Sequence, residues 1–341
     1  MTFEESLDLA SRALGGSVVS ANDEFFAERD NLINPWAPSF TPRTFGAKGQ
    51  LYDGWETRRR REPGHDHAIV RLGTPGTVHG VVVDTAFFTG NYPPEASVEG
   101  CLLAGYPSPE ELAEADWFSL VARSPLQGDT RNRFPVEQPR RASHVRLNIF
   151  PDGGVARLRV YGTPAVDPDL LPDVFDLAAA EYGGRVLDCS DRFYGSPGNL
   201  LLPGLAASMG EGWETRRRRD GGNDWVRVRL AAPGVPSLIE LDTSHFKGNA
   251  PGWAALTGPD GEQILPRTRL QPDTRHRFRP AVAASVEEVL LDVYPDGGLA
   301  RLRVYGALTG DGLARLAQAW QDADPEPTAS GHAVGTAAGV R

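Results

Sequence analysis

The chain contains one long segment written twice, and this duplication constrains the fold more than any other feature. The eight residues GWETRRRR at Gly54–Arg61 recur without change at Gly212–Arg219. A repeat of this length indicates a duplicated domain rather than a solenoid of short units. Other segments recur in the same order: DLASRALGG at Asp8 with DLAAAEYGG at Asp176, DTAFFTGN at Asp84 with DTSHFKGN at Asp242, and PDGGVARLRVYG at Pro151 with PDGGLARLRVYG at Pro295.

The repeat predicts the domain boundaries. The first copy spans residues 1–162, and a proline-rich linker follows at residues 163–172. The second copy spans residues 173–308, and an amphipathic helix is expected over residues 309–323. The tail at residues 324–341 has no large apolar residue other than valine, so we expect it to be disordered.

The pattern within each copy predicts a mainly β fold. Leu7, Leu9 and Leu14 have helical spacing, and Gly15 would end a short N-terminal helix. The remaining periodic segments alternate polar and apolar residues, as in Val226–Leu230. Antiparallel hairpins with one apolar face pack as sandwiches. We therefore expect two tandem β-sandwiches, each with a short N-terminal helix.

Charge, hydrophobicity and cysteine content limit which partners and which cellular compartment the chain can have. The net charge is −10, which argues against nucleic acid as the main partner because phosphate binding needs a basic surface. The N-terminus lacks the pattern of a signal peptide, and no apolar run approaches the roughly 18 residues of a membrane span. Cys101 and Cys189 form no CxxC pair. We expect a soluble cytoplasmic protein with free thiols and no membrane partner.

The arginine motif is the first candidate site. If it forms a strand, the side chains of Glu56, Arg58 and Arg60 share one face. Arginine forks bind carboxylates in bidentate fashion, and a glutamate beside them can act as an acid or base. The alternative is a surface ladder of charges that contributes little to stability. The unchanged repetition favours a functional role for both sets: Glu56, Arg58 and Arg60, and Glu214, Arg216 and Arg218.

The second candidate site is the DTxxFxGN motif at the end of a strand. It would place a carboxylate and an amide at the sandwich rim, Asp84 with Asn91 and Asp242 with Asn249. The alternative is that each aspartate caps its own turn. His245 stands where the first copy has Phe87. A lone histidine is more often structural, but this difference predicts catalytically unequal copies, with the chemistry in the second.

The sequence indicates no cofactor and no metal. His65 and His67 flank Asp66, but the second copy keeps only the aspartate of this group, so the zinc signal is weak. The motifs HExxH, GxSxG and the glycine-rich phosphate loop do not occur. The sequence leaves open whether a divalent metal such as manganese takes part in the reaction.

Together these segments resemble the allantoicase family. The resemblance rests on DGWETRRRR, DTSHFKGN, PDGG followed by ARLRVYG, and SANDEFFAERDNLINP at Ser20–Pro35, and it runs from about Asp8 to Gly306. It implies two jelly-roll repeats of the galactose-binding-like kind and a homo-oligomer. It also implies a hydrolase of purine and allantoin breakdown, which converts the ureide allantoate to ureidoglycolate and urea.

On this resemblance, the matching motifs supply the candidate site residues. The catalytic candidates are Glu56, Asp84, Glu214, Asp242 and His245, and the substrate-binding candidates are Arg58, Arg60, Asn91, Arg216, Arg218 and Asn249. The alternative function is a tandem sandwich that binds a sugar or another small ligand without catalysis. A sugar binder needs exposed aromatic platforms more than paired arginines and carboxylates, so the motifs favour the hydrolase.

Overall fold

The computed structural model of the protein describes residues 2–323, so the tail predicted at residues 324–341 lies outside the described residues. The fold is mainly β. The first repeat has twelve strands: β1 Leu7–Asp8, β2 Ser17–Ala21, β3 Phe45–Gly46, β4 Gly49–Gln50, β5 Trp55–Glu56, β6 Asp66–Asp84, β7 Glu95–Cys101, β8 Phe118–Pro125, β9 Arg131–Pro135, β10 Arg141–Phe150, β11 Gly154–Val155 and β12 Arg157–Pro164.

The second repeat repeats this order with two strands fewer, because it lacks the hairpin formed by β3 and β4. Its strands are β13 Phe175–Asp176, β14 Arg185–Cys189, β15 Trp213–Glu214, β16 Asp224–Asp242, β17 Trp253–Thr257, β18 Gln263–Arg269, β19 Arg275–Phe278, β20 Val286–Tyr294, β21 Gly298–Leu299 and β22 Arg301–Leu308.

Helices are short within the described range. The α-helices are α1 Pro109–Ala113 and α2 Gly310–Asp322, and no helix there is both long and apolar enough to cross a membrane. The 3-10 helices are Phe3–Glu5, Arg12–Leu14, Arg29–Ile33, Pro168–Leu170, Ala180–Tyr182, Pro197–Leu201 and Met209–Glu211.

One 19-residue strand organises each sandwich. In the first repeat, the start of β6 pairs with β2 and β10, and β7 and β8 extend that layer. The end of β6 pairs with β12 and β9, and β1 extends that second layer. Because β6 belongs to both layers, it fixes their relative position. The second repeat has the same pairing around β16, and both repeats form the predicted jelly-roll sandwiches.

The predicted N-terminal helices are shorter than expected. Leu7 and Asp8 form an edge strand on β12 instead, and the only helical turn in that stretch is the 3-10 turn at Arg12–Leu14. Gly15 ends this turn with a φ of 99°, as its predicted role as a stop requires. Leu9 and Leu14 are buried against the sandwich in either geometry, so their spacing alone could not distinguish the two.

The strand predicted through the arginine motif is wrong beyond Glu56. Only Trp55 and Glu56 pair with another strand, and they pair with Gly154 and Val155. Trp55 is fully buried, and its indole N–H donates to the carbonyl of Asp23 at 2.7 Å. After Thr57 the backbone is irregular, so the arginines do not alternate between two faces as a strand would require.

The two repeats share a core. One cluster of buried apolar side chains extends from Leu9 in the first repeat to Leu177 and beyond in the second. The C-terminal helix α2 adds a polar contact between them. The guanidinium of Arg141, on β10, lies 3.6 Å from the ring centre of Trp320 and donates to its carbonyl at 2.8 Å.

The β5–β11 contact leaves no room for a side chain at its glycine. A Cβ on Gly154 would lie 2.0 Å from the buried ring of Phe88, and one on Gly298 would lie 1.9 Å from Phe246. We expect Gly154→Ala and Gly298→Ala each to lower the free energy of unfolding by about 1–3 kcal/mol, the usual cost of overpacking. Guanidinium denaturation measures this. Gly248→Ala is the control, because no atom lies within 4 Å of its Cβ position. Equal stability of all three variants would contradict the packing described.

Candidate functional site

The structure brings together one carboxylate and one amide from different motifs. The side-chain amide of Asn91 donates to Glu56 Oε1 at 2.7 Å. In the second repeat, Asn249 donates to Glu214 Oε1 at 2.6 Å. The glutamates lie on the two-residue strands β5 and β15, and the asparagines follow β6 and β16. The structure therefore joins residues of the two candidate sites into one carboxylate–amide pair in each repeat.

In the first repeat this pair faces a cavity of about 330 Å³. The lining includes Glu56, Asn91, Arg59, Tyr92 and Asp152. Burial is the largest influence on Glu56 and raises the pKa of its carboxyl, and the hydrogen bond from Asn91 acts in the opposite direction. A carboxyl with a raised pKa keeps a larger neutral fraction near neutral pH, which suits it to donate a proton.

The arginines predicted to bind substrate are held in ion pairs within their own repeat. Arg58 Nε lies 2.7 Å from Asp23 Oδ2, and Arg216 Nε lies 2.6 Å from Asp191 Oδ2. Arg60 Nη1 lies 2.6 Å from the buried carboxylate of Asp66, and Arg218 Nη1 lies 2.8 Å from that of Asp224. These pairs fix the segment that follows β5 and β15. Asp23 and Asp191 are distant in sequence, and Asp66 and Asp224 follow six residues after their arginines, so all four acids lie outside the repeated motif.

Arg59 is the arginine that lines the cavity with Glu56. Arg59 was not among the sequence candidates, because strict strand alternation places it on the face opposite Glu56. The strand ends at Glu56, so that constraint does not hold. Arg59 is exposed and forms no ion pair with any of residues 2–323. Arg217 is its counterpart in the second repeat and is likewise exposed.

The aspartates of the DTxxFxGN motif cap their own turns. Asp84 Oδ1 accepts from the N–H of Ala86 at 2.9 Å, and Asp242 Oδ1 accepts from the N–H of Ser244 at 2.8 Å. Both aspartates are buried, and Asp84 is outside the cavity lining. This is the structural alternative, an Asx turn. Asp242 Oδ2 is a buried acceptor without a hydrogen-bond partner in the described part of the chain.

His245 and Phe87 serve to hold neighbouring loops. Both have positive φ, 73° and 68°. The ring nitrogen Nε2 of His245 lies 2.9 Å from the carbonyl of Ala206, which makes Nε2 a donor in this contact. Phe87 instead stacks on Phe40, with 5.7 Å between ring centres. The difference between the copies therefore coincides with different loop contacts, and the ring of His245 is already hydrogen-bonded to one of these loops.

The PDGG turn contributes a residue that the sequence analysis missed. Asp152 lines the cavity, and its Oδ2 accepts from the backbone N–H of Arg60 at 2.9 Å. Asp296 accepts from Arg218 in the same way at 2.8 Å. The unchanged repetition of PDGG was the only sequence signal for these aspartates. The turn that the segment forms was already a sufficient reason for that repetition. Across residues 2–323 no three His, Cys, Asp or Glu side chains are grouped so that they could hold a metal ion.

Comparison with known proteins places this geometry in a family. The family profile described as "Allantoicase repeat" matches residues 7–165 and 175–309. A probable allantoicase of Nocardia farcinica is 61% identical over 90% of this chain and 96% of its own length. One of Pseudomonas aeruginosa is 43% identical over 89% and 96%. The crystal structure of Saccharomyces cerevisiae allantoicase matches with a TM-score of 0.77 and 35% identity, over 88% of this chain and 93% of that one.

The raised pKa of Glu56 predicts a pH dependence of stability. The folded state binds the Glu56 proton more tightly than the unfolded state, so this carboxyl favours folding less as the pH rises through its pKa. Glu56→Gln stays neutral. We expect its free energy of unfolding, relative to the wild type, to increase between about pH 3.5 and pH 7, on either side of a glutamate's usual pKa.

Chemical denaturation at a series of pH values measures this difference. Glu28→Gln is the control, because it makes the same chemical change at an exposed position and alters no buried carboxyl group. If the curves of Glu56→Gln and the wild type run parallel across this range, the pKa of Glu56 is not raised by folding.

Proposed function

The chain belongs to the allantoicase family, and we propose that it hydrolyses allantoate to ureidoglycolate and urea. The observation that carries this proposal is the Glu56–Asn91 pair, which faces a cavity together with the unpaired guanidinium of Arg59. An acid, an amide and a cation are the groups that a carboxylate with ureido substituents requires. The similarity to allantoicases of other organisms supports the same reaction.

The chemistry defines what the site must supply. Allantoate carries one carboxylate and two ureido groups on a single carbon. Hydrolysis breaks the bond from that carbon to one ureido nitrogen and joins a water oxygen to the carbon. The leaving nitrogen takes up a proton and departs as urea. An acid and a base placed at these two positions each typically contribute 10²–10⁴-fold.

We assign the acid role to Glu56. Its raised pKa leaves a proton available, and Asn91 holds Oε1 in a fixed orientation. The other oxygen, Oε2, makes no hydrogen bond within the described residues and is free to give its proton to the leaving nitrogen. Once ionised, the same carboxylate can accept a proton from water. Asp84, Asp242 and His245 then act on turns and loops rather than on the substrate.

We assign recognition of the substrate carboxylate to Arg59. A guanidinium without an ion pair can offer two parallel N–H donors to a carboxylate. Arg58 and Arg60 support Arg59 by fixing the backbone on either side of it through Asp23 and Asp66. Direct substrate contact by Arg58, Arg60, Arg216 and Arg218 stays a prediction, as do the homo-oligomer and the independence from metal.

We further propose that the first repeat carries the chemistry. In the second repeat, Met209 Sδ lies 3.2 Å from the amide nitrogen of Asn249, the same nitrogen that donates to Glu214. Ala250 also replaces Tyr92 at the position after the asparagine. The thioether thus lies directly against the amide of the second pair, whereas the amide of Asn91 borders a cavity. This reverses the choice of the second copy, which rested on His245.

The first test is the reaction itself. We expect the full-length protein to release urea from allantoate, with ureidoglycolate formed in equal amount, and a coupled urea assay measures this. Assays with added manganese and after treatment with a chelator separate a metal requirement from a wrong substrate. No urea release under any of these conditions, from protein shown to be folded, would overturn the assignment.

The second test compares matched carboxyl removals. Glu56→Gln keeps the shape and removes the proton donor, so we expect kcat to fall by about 10²–10⁴-fold. Glu214→Gln makes the same change in the second repeat, and we expect kcat to stay within about two-fold because that site is not the one at work. Steady-state kinetics on both variants gives the answer. Equal losses of about half in each would mean two equivalent sites, and large losses in both would mean a composite one.

A further inference from the structure

One edge of the Arg60 side chain is left without a partner. Arg60 Nη1 is bound to Asp66 at 2.6 Å. On the other edge, Nε is buried and has no hydrogen-bond partner within residues 2–323. A buried donor without a partner destabilises the folded state, and such groups in native proteins call for an explanation. The ion pair with Asp66 does not supply one, because it uses a different nitrogen.

The second repeat shows what this edge binds. Arg218 holds Asp224 through Nη1, as Arg60 holds Asp66. Its Nε and Nη2 both donate to the carboxylate of Asp220, each at 2.9 Å. Asp220 is also held by the N–H of Gly222 at 3.0 Å, and its side chain stays 66% exposed. A carboxylate therefore reaches the equivalent edge from the solvent side.

The first repeat lacks this internal carboxylate for reasons visible in the sequence. The second copy reads Asp220-Gly221, and the first reads Glu62-Pro63. Proline restricts the backbone of the residue before it and disfavours the compact turn that Asp220 adopts. The glutamate is also one methylene longer. Glu62 is exposed and forms no ion pair with any described residue.

A cavity of about 490 Å³ lies at this position, and all four arginines of the motif, Arg58–Arg61, line it. The lining also contains the carboxylates of Asp23, Glu62 and Asp66, so the four guanidinium groups leave an excess of one positive charge. Gly64, with a φ of 139°, borders the free edge, and a Cβ there would lie 2.7 Å from Arg60 Nη2. The glycine keeps the edge clear of a side chain.

We propose that the first repeat binds a small free carboxylate through Nε and Nη2 of Arg60, in the position that Asp220 fills in the second repeat. The ligand class is a small monocarboxylate, because the edge offers one fork. The proposal does not depend on the hydrolytic activity. Arg59 lines both this cavity and the one that contains Glu56. A carboxylate bound here therefore lies beside the candidate active site. The guanidinium of Arg59 contributes positive charge to both cavities.

The experiment uses the full-length protein labelled with ¹⁵N-arginine, and sodium acetate is the ligand. The Nε–H resonances are followed by NMR during titration, and sodium chloride of equal ionic strength is the reference. In the wild type we expect the Nε–H resonance of Arg60 to shift in a saturable way with acetate and not with chloride, separately from any response of Arg59 at the proposed substrate site. The Arg60→Lys variant should lack that resonance, which assigns it.

Two reciprocal variants make the test specific. Asp220→Ala frees the edge of Arg218, so we expect a second resonance to respond to acetate. The double variant Glu62→Asp with Pro63→Gly gives residues 62–64 the sequence Asp-Gly-Gly of residues 220–222. The new aspartate can then occupy the free edge of Arg60, so we expect the acetate response of Arg60 to disappear. Absence of any acetate-specific shift in the folded wild type would overturn the proposal. So would an Arg60 response that persists in the double variant, or a wild-type response confined to arginines other than Arg60.

Discussion

The candidate site depends on a very short piece of backbone pairing. Trp55 and Glu56 pair with Gly154 and Val155, and Glu56 also forms an isolated antiparallel bridge with Ala27. Three features make so short a contact sufficient: the tryptophan is fully buried, its indole is hydrogen-bonded, and a phenylalanine ring packs on the glycine that faces it. Because one side of the segment is fixed in the core, the glutamate side chain has a defined direction towards the cavity.

Ion pairs then determine which guanidinium groups, and which of their edges, are available to a ligand. The arginines on either side of Arg59 are held by Asp23 and Asp66. Neither acid belongs to the motif, and both come from segments that pack beside it. A run of four like charges is unfavourable unless neighbouring acids offset part of it. The run thus has two functions. Arg58 and Arg60 hold the loop through ion pairs, and Arg59 and Arg61 add positive charge to the lining of the 490 Å³ cavity.

Much of the architecture could be predicted from the sequence, and the exceptions have physical causes. The duplication and the sandwiches follow from matched segments and from alternation, whereas Glu56 and Asn91 belong to two different sequence motifs and only the fold brings them together. The roles of the arginines did not, because period-two reasoning holds only while a strand lasts and this one ends at Glu56. The N-terminal segment was ambiguous, because an edge strand and a helical turn can bury Leu9 and Leu14 equally well. His245 was overvalued, because its hydrogen bond to a distant carbonyl leaves no mark in the sequence.

The core shared by the two repeats has a consequence for how such a chain can change over generations. Apolar side chains of both copies form one cluster, and the C-terminal helix joins them again through Arg141 and Trp320. Loss of either copy would expose apolar surface of the other, so the fold needs both copies whether or not each carries a site. A pocket in one copy can then degenerate without penalty. Gene duplication here supplies a permanent structural partner whose surface is free to acquire, or to lose, chemistry of its own.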